Sequence, residues 1–213
     1  MQELYHEYDK LQKQYGAAEL HSIYNGGMQT QPDICFIFMN PTGKNIASLP
    51  AWDGPRSPWI GTKQIWNLFH QLHLLDHDLF MEIMRRKPNE WDKAFAELVY
   101  DSIGKHRAFI TNLGKCTQLD ARPLPNSVYK AYLELLYQEI ELIQPQKIIS
   151  FGNQVSSLLL GQQICVSHCR TQSFSKQIGS HSYPFYPVYY PVGNGLRNLD
   201  KAIADIAAIL QMK

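Results

Sequence analysis

Four glycine-bearing breaks follow apolar runs and hold the residues best suited to chemistry. They are Asn40-Pro41-Thr42-Gly43, Asn112-Leu113-Gly114-Lys115-Cys116, Gly152-Asn153 and Pro191-Val192-Gly193-Asn194-Gly195-Leu196-Arg197. Turn geometry alone accounts for many such residues, because Asn and Gly tolerate unusual backbone angles. Asn40, Asn112, Asn153 and Asn194 gathered on one edge would do more. A carboxamide offers donors and an acceptor, and it does not ionise. An edge of amides without a carboxylate pair suits a neutral, planar, hydrogen-bonding ligand, and a nucleobase edge is such a ligand.

Residues 42–61 lack clear periodicity and contain Trp52, Pro55, Pro58 and Trp59. A loop of that length inside a compact domain usually serves function. An aromatic at its end can stack a base, worth about 1–3 kcal/mol. The plainer alternative is that both tryptophans seal the edge of the core. His70 and His73 share a helical face and His77 lies past the helix end, but no carboxylate joins them there, so they read as surface or core-edge residues. Cys165 and Cys169 flank His168 without a second ligand pair, which reads as ordinary reduced thiols rather than zinc.

The elements that must position these breaks follow from periodicity. Apolar runs at 34–39, 108–111 and 147–151 are nearly continuous, as in strands covered on both faces, and a fourth spans 187–190. Helical spacing runs over 62–75, through Ile65, Leu68, Phe69, Leu72 and Leu75. A helix over 127–144 has Ser127 as cap and stops at Pro145, and another over 153–160 ends at Gly161. Asn198 caps a final helix carrying Leu199, Ile203, Ile206 and Leu210. Segments 2–15 and 80–103, the latter broken at Pro88, are also helical in pattern. Residues 162–186 read as irregular, with a short strand at 164–168. Alternating strand and helix predicts an α/β fold: a three-layer α/β/α sandwich around a central, mainly parallel sheet of about four strands. In such a sheet, ligands bind beyond the carboxyl ends of the strands.

The chain has 213 residues, 45% of them hydrophobic, which supports a sizeable core. Its 20 Lys+Arg against 19 Asp+Glu exclude a polyanion binder working by bulk charge, though not one with a local basic rim. With no basic-then-apolar leader, the expectation is a cytoplasmic protein with reduced thiols. No apolar run approaches the roughly 20 residues of a membrane span.

Taken in order, several segments resemble the uracil-DNA glycosylase superfamily. Phe38-Met39-Asn40-Pro41-Thr42-Gly43 is similar to the first motif of its mismatch-specific and single-strand-selective classes. Ser57-Pro58-Trp59-Ile60-Gly61, followed by Ile65-Trp66-Asn67-Leu68-Phe69, resembles the segment whose aromatic stacks on uracil. Phe109-Ile110-Thr111-Asn112-Leu113-Gly114-Lys115-Cys116 looks like the strand ending in the uracil-reading Asn, closest to the iron–sulfur class. The segment 143–153 is similar to that class's core strand, and Tyr190-Pro191-Val192-Gly193-Asn194-Gly195 stands where the family has its final motif. The likeness covers residues 34–210 and implies a single domain over 1–213.

It further implies a base-excision enzyme that cleaves the N-glycosidic bond of uracil or a related damaged base in DNA. The implied catalytic residues are Asn40, holding a water, and Tyr190. Met39, Thr42, Trp59 and Asn112 would bind the base. Gly193, Asn194, Leu196 and Arg197 would meet DNA. Lys44, Arg56, Lys63 and Lys115 are further candidates for phosphate contact. The partner is uracil-containing or damaged DNA, and a monomer is expected.

Two departures stand out. An iron–sulfur cluster needs four cysteines, yet only Cys116 matches such a position, 130–136 has no Cys, and none precedes residue 35. No metal and no cofactor are therefore expected. In the final motif Tyr190 replaces the usual His and Val192 the Ser. The oxygen of the departing base would then take its hydrogen bond from Tyr190 or from backbone N–H groups of 193–195. The alternative is a non-catalytic nucleobase- or DNA-binding member of the fold. A nucleotide enzyme on a flavodoxin-like sheet ranks lowest, because 39–43 and 151–154 hold too few glycines for a phosphate loop.

Overall fold

All five residues of Ile34–Phe38 are buried. Their side chains divide between two cores: Phe36 and Phe38 enter one, Cys35 and Ile37 the other. A strand of this kind must be covered on both faces, and the computed structural model, which describes residues 1–121 and 124–212, shows the layers that cover it.

The elements in chain order are α1 (Gln2–Tyr15), β1 (Asn25–Gly27), β2 (Ile34–Phe38), α2 (Gln64–Gln71), α3 (His77–Arg85), α4 (Lys93–Lys105), β3 (Ala108–Asn112), α5 (Asn126–Ile143), β4 (Lys147–Phe151), α6 (Asn153–Leu160), β5 (Phe174–Ile178), β6 (His181–Val188) and α7 (Leu199–Gln211). One core packs α2, α4 and α7 against Phe36, Phe38, Ile110, Ile149 and Phe151. The other packs α5 and α6 against Cys35, Ile37, Phe109, Ile148 and Phe185. The helix α1 lies against Val128 and Tyr132 of α5.

The sheet has six strands, not about four, in the order β1-β3-β2-β4-β6-β5. The ladders β3–β2, β2–β4 and β4–β6 are parallel. β1 and β5 add antiparallel flanks. Both flanks lacked an apolar signal. β1 is Asn-Gly-Gly, and β5 alternates half-buried with exposed positions up to Ile178.

Three further expectations are corrected. The fourth strand runs over His181–Val188 rather than 187–190, so Tyr190 lies just beyond it. Residues 164–168 form no strand, since Val166–His168 is a turn of 3-10 helix, and 162–186 holds β5 and most of β6, paired as a hairpin. α5 begins at Asn126 behind Pro125, with no side-chain cap, rather than at a Ser127 cap. It does stop at Gln144, in a left-handed conformation (φ 50°), as the following proline demands.

The parallel register aligns strand ends: Phe38 pairs with Asn112, and Phe151 with Val188. The breaks read from the sequence therefore emerge along one edge of the sheet.

Candidate active site at the carboxyl edge of the sheet

Phe38, the last residue of β2, is the hub of this edge. Its ring stacks on Phe151, with centroids 4.3 Å apart. It meets Trp59 edge-on at 5.0 Å and Tyr190 edge-on at 6.2 Å. Asn112 is its in-register partner on β3. Trp59, Asn112 and Tyr190 are thus brought together around one buried ring, although the chain separates them widely.

Asn40 joins them through the backbone. Pairing between β2 and β3 continues past the strands, with Leu113 N–H donating to Phe38 O and Gly114 N–H to Met39 O, both at 2.8 Å. This sets the Asn112–Gly114 turn beside Met39–Asn40. The Asn40 carboxamide is held at both ends: Tyr129 Oη donates to Oδ1 at 2.7 Å, and Nδ2 donates to Pro41 O at 3.1 Å. Met39 thus uses its carbonyl structurally, and Thr42 forms an isolated bridge with Gln118.

Two donors near this edge have no partner. Asn112 is 2% exposed, and its Nδ2 is buried without a hydrogen bond. Trp59 Nε1 is likewise buried and unpartnered. Trp59 also has φ 70°, a left-handed conformation that a bulky residue rarely adopts. A buried unsatisfied donor costs about 1–3 kcal/mol, and such costs cluster where a ligand supplies the missing partner. Burial pushes the Tyr190 phenol above its ordinary range, and nearby Tyr129 adds to the effect. Tyr190 therefore stays a neutral donor.

Residues Gly193–Asn198 form a 3-10 turn before α7. Gly193, Asn194, Leu196 and Arg197 are exposed on it, with Leu196 44% exposed. Gly193 N–H donates to Gln64 Oε1 at 3.2 Å and Gly195 N–H to Val192 O at 2.9 Å. Of the three backbone donors at 193–195 offered as alternatives to Tyr190, those of Gly193 and Gly195 are thus already engaged.

Lys115 was expected among the phosphate contacts, and the structure overturns this. Its Nζ lies 2.8 Å from Glu139 Oε2, and both side chains are wholly buried. Glu139 also accepts from Asn25 and from Thr111 Oγ1. Burial lowers the Lys115 pKa, against the pull of Glu139. Lys63 turns to Met84 O at 2.6 Å, while Lys44 is exposed. Arg56 lines a separate cleft of about 320 Å³ beside Tyr5, Tyr24, Glu97 and Asp101, which none of Asn40, Trp59, Asn112 and Tyr190 borders. His70 pairs with His77, the first residue of α3, at 3.0 Å.

The cysteines do not suit a cluster. Cys35 faces α5 from β2, Cys116 packs with Tyr8 and Tyr132, and Cys169 lies with Ile164 and Val166. Among the described residues no three His, Cys, Asp or Glu side chains gather to hold a metal. None of the described helices is long and apolar enough to cross a membrane.

The family model of the uracil DNA glycosylase superfamily matches residues 27–206. The chain belongs to that superfamily. The match takes in β2, β3, β4 and β6 and every residue of the edge just described. Within this superfamily member, sequence reading missed Tyr129 and the Lys115–Glu139 pair. Tyr129 looks like any aromatic on the buried stripe of α5, and its hydroxyl partner lies 89 residues away.

Proposed function

We propose that the protein excises uracil, or a related damaged base, from DNA by hydrolysing the N-glycosidic bond. The observation that carries this is the buried, unpartnered Nδ2 of Asn112, whose register partner Phe38 meets both Trp59 and Tyr190 at the edge where Asn40 emerges. A base turned out of the stack would meet an aromatic surface, a polar reader, and a phenol that stays protonated.

In the reaction, water oxygen bonds to the anomeric carbon as the carbon–nitrogen bond breaks. The bonding pair leaves on the base, and the water's proton is lost to solvent or to the departing base. The sugar passes through an oxocarbenium-like state. Asn40 orients the water without acting as a strong base, since an amide does not ionise. Trp59 stacks on the base, and Asn112 supplies one donor and one acceptor to its polar edge. Tyr190 hydrogen-bonds the oxygen that gains charge. Met39 and Thr42 contribute backbone contacts to the base. Leu196 or Asn194 fills the gap left in the stack, and Arg197 contacts phosphate.

A non-catalytic, base-binding role is the second reading, favoured by Tyr190 standing in place of the family His. Uracil release from single-stranded and G·U duplex oligonucleotides decides between them. Wild-type release that falls at least about 100-fold in Asn40→Ala supports catalysis. Tight binding without release supports the second reading.

A further inference from the structure

Tyr129 is a buried aromatic with a polar end directed at Asn40, and the mechanism above does not use it. We propose that Tyr129 is a positioning residue, whose hydroxyl fixes which end of the Asn40 carboxamide is presented to the water and the sugar. This rests on the glycosylase reading and deepens it.

Oxygen and nitrogen of a carboxamide are told apart by their neighbours. The Pro41 carbonyl can only accept, so the Asn40 atom 3.1 Å from it is the NH2 group. That turns Oδ1 toward Tyr129, 2.7 Å away, and makes the phenol the donor. One lone pair of Oδ1 and one N–H then stay free. The lone pair accepts a water proton and aims the water's oxygen lone pair away from the amide. Without the hydroxyl, only the contact to Pro41 restrains the amide, and the water loses its fixed acceptor.

The neighbourhood is shaped for this contact. A Cβ at Gly114 would lie 3.3 Å from Tyr129 Cε1 and 3.5 Å from Asn40 Cβ, so a larger residue there would push the two apart. The Tyr129 ring packs in the core beneath α5 and is fully buried. Phenylalanine would keep that packing and remove only the hydroxyl.

The test is steady-state excision from a single-stranded uracil oligonucleotide by wild type, Tyr129→Phe, Asn40→Ala and the double variant, with thermal melting of each. Tyr129→Phe is expected to lower kcat about 10–100-fold with KM within about twofold, because a small misplacement of a reacting group is costly while substrate contacts persist. The double variant is expected to match Asn40→Ala alone, since a residue acting only through Asn40 has nothing left to position. If Tyr129→Phe does not fold, Gly114→Ala takes its place, and its loss of kcat must likewise vanish in the Asn40→Ala background. Wild-type rates in Tyr129→Phe, or losses that multiply in the double variant, overturn the positioning role and leave the glycosylase reading intact. A wild type that releases no base from any uracil substrate overturns that reading and the positioning role with it.

Discussion

Phe38 and Asn112 are in-register partners at the ends of two parallel strands, so their side chains leave the sheet on the same face. There the Phe38 ring meets both Trp59 and Tyr190. One ladder register thus gathers an amide, an indole and a phenol. A slip by a single residue would turn Asn112 to the opposite face, among the residues packed on α5.

The Asn112 Nδ2 is buried without a hydrogen-bond partner, so removing that donor should not weaken the fold. Asn112→Leu, which is close in shape, is expected to abolish uracil release while raising stability by about 1–3 kcal/mol. Urea unfolding and an excision assay on the same preparation check this. A destabilised variant would mean that the amide has a partner in the native protein.

The Lys115–Glu139 pair predicts the opposite. Lys115→Met leaves Glu139 buried with a charge and only neutral donors, at an expected cost of about 3–5 kcal/mol in urea unfolding. Adding Glu139→Leu should recover part of that loss, because the stranded charge goes. The turn after Asn112 hangs on this pair, so Lys115→Met should also impair excision in protein that remains folded.

Much of this was legible in the sequence, and the failures have physical causes. The central parallel strands announced themselves because burial on both faces leaves apolar runs such as those ending at Phe38 and Phe151. β1 did not, since Asn25-Gly26-Gly27 carries no side-chain signal and is held by its ladder to β3. Asn40, Asn112 and Tyr190 could be picked out as candidates because each follows or borders a break, and Trp59 because it lies near the end of the aperiodic loop 42–61. Lys115 was misjudged, because a lysine in a break looks exposed until its partner on α5 is placed. Tyr129 was invisible for the same reason: its value lies in what its hydroxyl meets.

The pH dependence of excision should be featureless where a histidine-bearing site would titrate. Burial raises the Tyr129 and Tyr190 phenols, so both keep their protons as pH climbs past neutrality, and Asn40 and Asn112 do not ionise. The kcat profile is therefore expected to be flat from about pH 6 to 9. An inflection near 6.5, the ordinary histidine value, would place an unassigned histidine in the mechanism.

Leu196 and Arg197 stand exposed on the turn before α7. Arg197→Ala should weaken single-stranded DNA binding uniformly across sequences and reduce the slope of log Kd against log salt by about 0.7. Leu196→Ala should leave that slope alone and slow excision from duplex more than from single strands, because only a duplex has a gap to fill. Fluorescence anisotropy at several salt concentrations, with paired excision assays, separates the two.

A crystal structure grown with free uracil tests the base slot most directly. The expected result is a pyrimidine stacked on Trp59, with an oxygen of the base within hydrogen-bond distance of Asn112 Nδ2 and Tyr190 at its rim. Uracil bound away from these side chains, or no pyrimidine at this edge at saturating uracil, would contradict the account.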